Sequence, residues 1–133
     1  MITDAVLKDM LSIIWDRIGA IIDDYCISGK ETCTHASYAV ARGLAKMGLA
    51  PMIIGGEFDG QDHYWVEVMA AGKTYLIDFG NNILSATENK PVRPLVIQGK
   101  GKWYKRYGGR NEAYSLLGFL RTMKSQGTRI NII

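Results

Sequence analysis

Cys33, His63 and Asp78 occur in that order along the chain and carry the groups of an activated cysteine nucleophile: a thiol, an imidazole and a carboxylate. The thiolate is the reactive form of cysteine, and a free thiol titrates near pH ~8.5. Two surroundings favour the anion: the unpaired N–H groups and positive dipole end of a helix N-terminus, and an adjacent imidazolium. Cys33 is expected to meet both. His63 would then act as the base and later protonate the leaving group. Asp78 would accept a hydrogen bond from the other ring nitrogen, fixing tautomer and orientation. The Cys33 backbone N–H is a candidate donor to an oxyanion forming at the attacked carbonyl. A second donor is expected, but no residue in the sequence identifies it.

Each residue alone has an ordinary structural explanation. A cysteine near a helix start is commonly a small buried apolar residue. A histidine at a strand edge commonly serves a structural hydrogen bond, and Asp78 ahead of Phe79-Gly80 suits the start of a turn. The joint occurrence favours chemistry, because the three fall on the elements that must position such a site. Cys33 stands where a helix-periodic run begins (33–47), with Thr32 as the expected N-cap and Gly48 just past the end. His63 opens a strand-like run (63–69), and Asp78 closes the next one (74–78) after a tight turn. In an antiparallel hairpin the start of one strand lies beside the end of the other, so the pattern itself brings His63 near Asp78.

The remaining elements frame these. Val6, Leu7, Met10, Leu11, Ile14, Trp15, Ile18, Ile21 and Ile22 recur at helical spacing, with Thr3 or Asp4 as the cap. Residues 27–32 read as a loop, 50–54 as a short strand, 55–62 as a polar glycine-rich loop, 80–91 as a loop and 94–98 as a strand. Residues 111–126 read as a third helix ended by Gly127, whereas 99–109 give no clear element. The expectation is one α+β domain, 1–133, with helices packed on a small antiparallel sheet.

A chain of 133 residues with 47% apolar and 22% charged residues has ordinary globular composition. No run approaches the roughly 18 apolar residues of a membrane span. The N-terminus shows no basic segment leading into an apolar core, so a cytoplasmic location is expected, with Cys26 and Cys33 as free thiols. The net charge of +3 does not by itself point to nucleic acid, which is not the expected partner. No cofactor motif is present. Cys26, Cys33, His35 and His63 match no common zinc spacing, so no metal is expected. His35, two residues after Cys33, falls on nearly the opposite side of a helix and reads as structural. Gly55-Gly56 and Gly60 are followed by no Gly-Lys-Ser/Thr, so they are not a phosphate loop; they read as a mobile wall of the cleft. Glu57, Asp59 and Asp62 suit either a basic or amine-bearing substrate or a solvated loop. The segment Lys100-Gly-Lys-Trp-Tyr-Lys-Arg-Tyr-Gly-Gly-Arg110 interleaves bases and aromatics. It is the basis of an alternative, non-enzymatic reading as a binding module.

The stretch from Cys33 to Asp78 resembles the transglutaminase-like superfamily of papain-fold cysteine enzymes. The likeness lies in Cys33-Thr-His-Ala-Ser-Tyr-Ala-Val-Ala-Arg-Gly-Leu44, then Leu44-Ala-Lys-Met-Gly48 and its following strand, then His63-Tyr-Trp-Val-Glu-Val68, then Tyr75-Leu-Ile-Asp78. The resemblance implies a papain-like fold with Cys33 as nucleophile, His63 as base and Asp78 as the orienting acid. It implies thiol-dependent amide hydrolysis or acyl transfer on a peptide or protein, with cysteine peptidase ranked first and transglutaminase or deamidase chemistry on the same residues next. The small size of the domain adds the expectation of a partner protein that completes the substrate groove.

Overall fold

Leu7, Leu11, Ile14, Ile18 and Ile22 recur every three or four residues, so a helix lines them up on one side. In the computed structural model, which describes residues 2–130, that helix is α1, Asp4–Ile27. Met1 and residues 131–133 of the expected domain lie outside the described residues. The Thr3 hydroxyl caps the helix by accepting the Val6 N–H at 3.2 Å. The apolar face is broader than the surface that covers it: Val6, Ile13 and Ile21 remain exposed.

The second helix, α2, spans Thr32–Lys46 and ends as expected, with Gly48 at φ +93° just beyond it. Its start differs from the sequence expectation. Glu31, not Thr32, is the N-cap and makes no side-chain cap bond. The Thr32 hydroxyl instead donates to the Lys30 carbonyl at 3.0 Å, so the helix begins one residue earlier. Cys33 is still in the first turn.

Three strands follow: β1 (Met52–Phe58), β2 (Gln61–Ala70) and β3 (Lys73–Asp78). The expected glycine-rich loop at 55–62 is therefore two strand ends and a tight turn. Gly56 is glycine because its neighbours fill the space of a side chain: an added Cβ would lie 2.5 Å from the Gly108 carbonyl oxygen and 2.6 Å from the Trp65 ring. Asp59 and Gly60 both have positive φ (51° and 79°), the two-residue turn whose twist matches a hairpin. Past β3, the expected loop at 80–91 contains a short helix, α3 (Asn82–Glu88). The Asn81 Oδ1 caps it by accepting the Leu84 N–H at 2.8 Å. Then come β4 (Leu95–Gln98), α4 (Lys102–Lys105), β5 (Tyr107–Tyr114) and α5 (Leu116–Ser125). Only the second part of the expected 111–126 helix is helical. Residues through Tyr114 pair with β1, and the Ser115 hydroxyl, accepting from Gly118 N–H at 3.1 Å, starts the helix after them.

The described residues form an α+β structure with one sheet in the order β4-β3-β2-β1-β5, every neighbouring pair antiparallel. One face, carrying Ile53, Val66, Val68, Tyr75 and Ile77, packs with α1, α2 and α5 into the larger core. The opposite face, carrying Ile54, Trp65 and Leu76, packs with Phe58, Tyr107 and the α3 residues Ile83 and Leu84. No described helix is long and apolar enough to cross a membrane.

Candidate active site

Because β2 and β3 are antiparallel, the start of one and the end of the other meet at one end of the sheet. His63 and Asp78 sit there. Their side chains are fully buried, and His63 Nε2 lies 2.8 Å from Asp78 Oδ2. A buried carboxylate must have its lone pairs satisfied. The same oxygen accepts the Tyr107 hydroxyl at 2.6 Å and the Asn81 side-chain amide at 3.0 Å, while Oδ1 accepts the Gly80 N–H at 3.3 Å. Tyr107 reaches from β5, at the far edge of the sheet, beneath the intervening strands. Its ring packs edge-on against Trp65 and Phe58. Trp65 is fully buried and stacks on the His63 ring with centroids 6.3 Å apart, a wall for the imidazole. Its indole N–H donates to Glu67 at 2.9 Å.

The α2 start is brought to this point by Gly80, two residues past Asp78. An added Cβ on Gly80 would lie 2.6 Å from Ala36 Cβ, 2.8 Å from the Thr32 carbonyl oxygen and 3.1 Å from Cys33 Cα. Only the absence of a side chain lets the first turn of α2 rest on the chain leaving β3. Cys33 is half-buried and borders one cleft with His63, Gly55, Gly56, Tyr64 and Asn111. The first helical hydrogen bond of α2 runs from His35 N–H to Glu31. The earlier N–H groups of the helix, including that of Cys33, therefore have no partner within it.

The electrostatics follow from this packing. Burial is the largest influence on His63 and lowers its pKa. The Asp78 charge and hydrogen bond, with a smaller side-chain and charge contribution from Cys33, outweigh it and raise the imidazole to about 10. His63 is thus held as an imidazolium at neutral pH. Its Nδ1 is buried and, among the described residues, has no hydrogen-bond partner. Asp78 holds the other ring nitrogen, and the ring borders the cleft that Cys33 lines. For Tyr107, burial and the Asp78 charge raise the phenol well above its ordinary value, so it remains a neutral donor.

Tyr107 and Asn81 are the participants that sequence reading missed. Asn81 stands three residues after Asp78, a spacing that hints at a local bond. Tyr107 had no local signal at all, since it lies in the segment that gave no clear element. The other titratable candidates are elsewhere. His35 is buried edge-on against Tyr25, and burial lowers its pKa. The Cys26 thiol faces the Ser85 hydroxyl at 3.9 Å. Gly55, Gly56 and Asp62 do line the cleft, but from strands rather than a loop. The arginines of the basic segment are engaged within the protein. Arg106 pairs with Asp59 through two hydrogen bonds (2.9 and 2.5 Å) and stacks on Phe58 and Trp103. Arg110 pairs with Glu67 at 2.6 Å and stacks on Tyr104.

Comparison with protein-family models, curated proteins and solved structures finds no match for this chain.

Proposed function

We propose that this protein is a cysteine enzyme that passes the acyl group of a peptide or protein amide through a thioester on Cys33, with peptide hydrolysis as the primary reaction. The observation that carries this reading is the buried His63–Asp78 pair, whose remaining imidazole nitrogen has no partner among the described residues and whose ring borders the cleft that holds Cys33. His35 also has a buried Nδ1 without a partner among the described residues, but it has neither a carboxylate on its other nitrogen nor a border with the Cys33 cleft, so the pairing with Asp78 and the shared cleft carry the weight. The helix start bearing a cysteine beside two antiparallel strands bearing histidine and aspartate is also the arrangement that the transglutaminase-like resemblance implies. That likeness supports the proposal of a papain-like fold.

In the proposed reaction the Cys33 thiolate attacks the carbonyl carbon, and the carbonyl oxygen takes the negative charge. The Cys33 N–H at the α2 start donates to that oxygen. The Tyr64 hydroxyl and the Asn111 amide line the same cleft and supply candidates for the second donor. The His63 imidazolium gives its proton to the departing amine, leaving a thioester and a neutral imidazole. His63 then takes a proton from water, whose oxygen attacks the thioester, releasing the acid and restoring the Cys33 thiolate beside the His63 imidazolium. With a glutamine side chain as the acyl donor and ammonia as the leaving group, an amine in place of water gives transglutamination and water gives deamidation.

The test is one mass-spectrometric experiment on a Cys26→Ser background. The protein is incubated with a peptide library and a primary amine. New peptide termini identify a peptidase, conversion of glutamine to glutamate a deamidase, and amine adducts a transglutaminase. All must vanish in Cys33→Ala, whose circular dichroism should match the parent. In parallel, iodoacetamide should label Cys33 at neutral pH about tenfold or more faster than it labels the His63→Gln variant. Product formation that survives Cys33→Ala, or equal labelling of the two proteins, refutes the reading.

A further inference from the structure

On the reading that Cys33 is the nucleophile, we infer that the cleft selects a substrate with a cationic side chain, lysine or arginine, at the residue seated beside the attacked amide. The cleft has a volume of about 260 Å³, and its lining includes the carboxylates of Asp62 and Glu112 and no lysine or arginine. Among the described residues neither carboxylate belongs to an ion pair. The nearest arginines in sequence are spent elsewhere: Arg110, adjoining Asn111, on Glu67, and Arg106 on Asp59.

Strand register sets this acidic rim. Gly55 on β1 stands opposite Tyr64 on β2 and opposite Glu112 on β5. The floor between Tyr64 and Glu112 is therefore bare backbone. A Cβ on Gly55 would already stand 3.1 Å from the Tyr64 ring and 3.7 Å from that of Tyr114. Glu112 is steadied by the Tyr114 hydroxyl, which donates to it. Tyr64 reports the field: after burial, its phenol is pushed up by the charges of Cys33, Glu112, Asp62 and Glu31. The carboxylates thus gather around the space next to the thiol. An observation independent of the carboxylates marks the same space as a ligand site: His63, with a fully buried side chain, lines this cleft, and its Nδ1 has no partner among the described residues. His63, the one cationic group of the lining, is already paired with Asp78, so a cationic side chain lying over the Gly55 floor meets the unpaired charges of Asp62 and Glu112, and an anionic one is repelled.

The probes are dipeptidyl vinyl sulfones bearing Lys, Gln or Glu in turn at each of the two positions. They are reacted with the Cys26→Ser protein at low salt, and Cys33 modification is timed by mass spectrometry. At one position, Lys should outpace Glu by about tenfold, with Gln between them, and added salt should narrow the gap. In the Glu112→Gln, Asp62→Asn double variant the gap should close to about twofold. Cys33 labelling that is rapid but indifferent to charge, or that favours Glu at both positions, overturns this inference while leaving the thiol enzyme standing. A charge preference that persists undiminished in the double variant also overturns it. If no probe labels Cys33 faster than it labels a simple thiol, the enzymatic reading fails and this inference with it.

Discussion

Replacing Asp78 with asparagine keeps the shape of the side chain and removes its charge, so the variant isolates what holds the His63 imidazolium. In the native protein the carboxylate, 2.8 Å from Nε2, is the principal reason that a buried imidazole is raised to about 10. Without it, burial dominates and lowers His63 below its ordinary 6.5. Because the folded value exceeds the unfolded one, the protonated histidine stabilises the native state fully below pH 6.5, and this contribution disappears as the pH rises through about 10. At pH 7 the contribution is about 4 kcal/mol, and by pH 9 more than half of it has gone. The value at pH 7 agrees with the roughly 3 to 5 kcal/mol lost when one partner of a buried pair is removed, and it is a large share of a total stability of about 5 to 15 kcal/mol. Urea melts at pH 7 and pH 9 test this directly. With a slope of about 1 to 3 kcal/mol per molar, the wild-type midpoint should fall by about 1 to 2 M between the two pH values, and the Asp78→Asn midpoint should start lower and fall far less. The imidazole nitrogen shifts of His63, followed by NMR, should titrate near pH 10 in the wild type and below 6.5 in the variant. Midpoints that decline in parallel, or a wild-type imidazole that titrates near 6.5, would refute the claim that Asp78 fixes the charge of His63.

Tyr107→Phe keeps the ring against Trp65 and Phe58 but removes the hydroxyl that donates to Asp78. It should cost about 1 to 3 kcal/mol in a urea melt and slow Cys33 alkylation, because the carboxylate that orients His63 is left under-satisfied. A variant as stable and as reactive as wild type removes Tyr107 from the site. Gly80→Ala places a methyl group against Ala36 and the Thr32 carbonyl oxygen. It should destabilise by about 1 to 3 kcal/mol and, by pushing the α2 start away, lower Cys33 alkylation several-fold more than does Gly72→Ala, a turn glycine at φ +71° with no neighbour in the way. Equal alkylation in the two variants would show that Gly80 does not set the approach of the helix to the strands.

The alternation of His63-Tyr-Trp-Val-Glu-Val68, the short turn at Ala71-Gly72 and the returning strand ending at Asp78 were enough to place a histidine beside an aspartate. A hairpin is local, and its register follows from chain spacing. The first two helices were legible for a similar reason, since Leu7, Leu11, Ile14, Ile18 and Ile22 repeat at a period that only a helix aligns. Where the sequence misled, tertiary packing had replaced local preference. Gly55 and Gly56 carry every mark of a loop, yet they lie in a strand because Tyr64, Trp65 and the Gly108 carbonyl occupy the space of their missing side chains. Asn111–Tyr114 continues the helical pattern of the residues after it, yet it pairs with β1, whose open edge it covers.

The sequence by itself therefore determined the three candidate side chains, the elements that carry them and the proximity of His63 to Asp78, because all of these depend on spacing along the chain. The tertiary structure alone decided that Tyr107, almost thirty residues beyond Asp78, completes the carboxylate's hydrogen bonds. It also decided that Gly80 seats Cys33 beside the pair and that Asp62 and Glu112 give the cleft its sign. Those relations cross strands and layers, where contact is set by how the sheet and helices pack, and no local pattern encodes that distance.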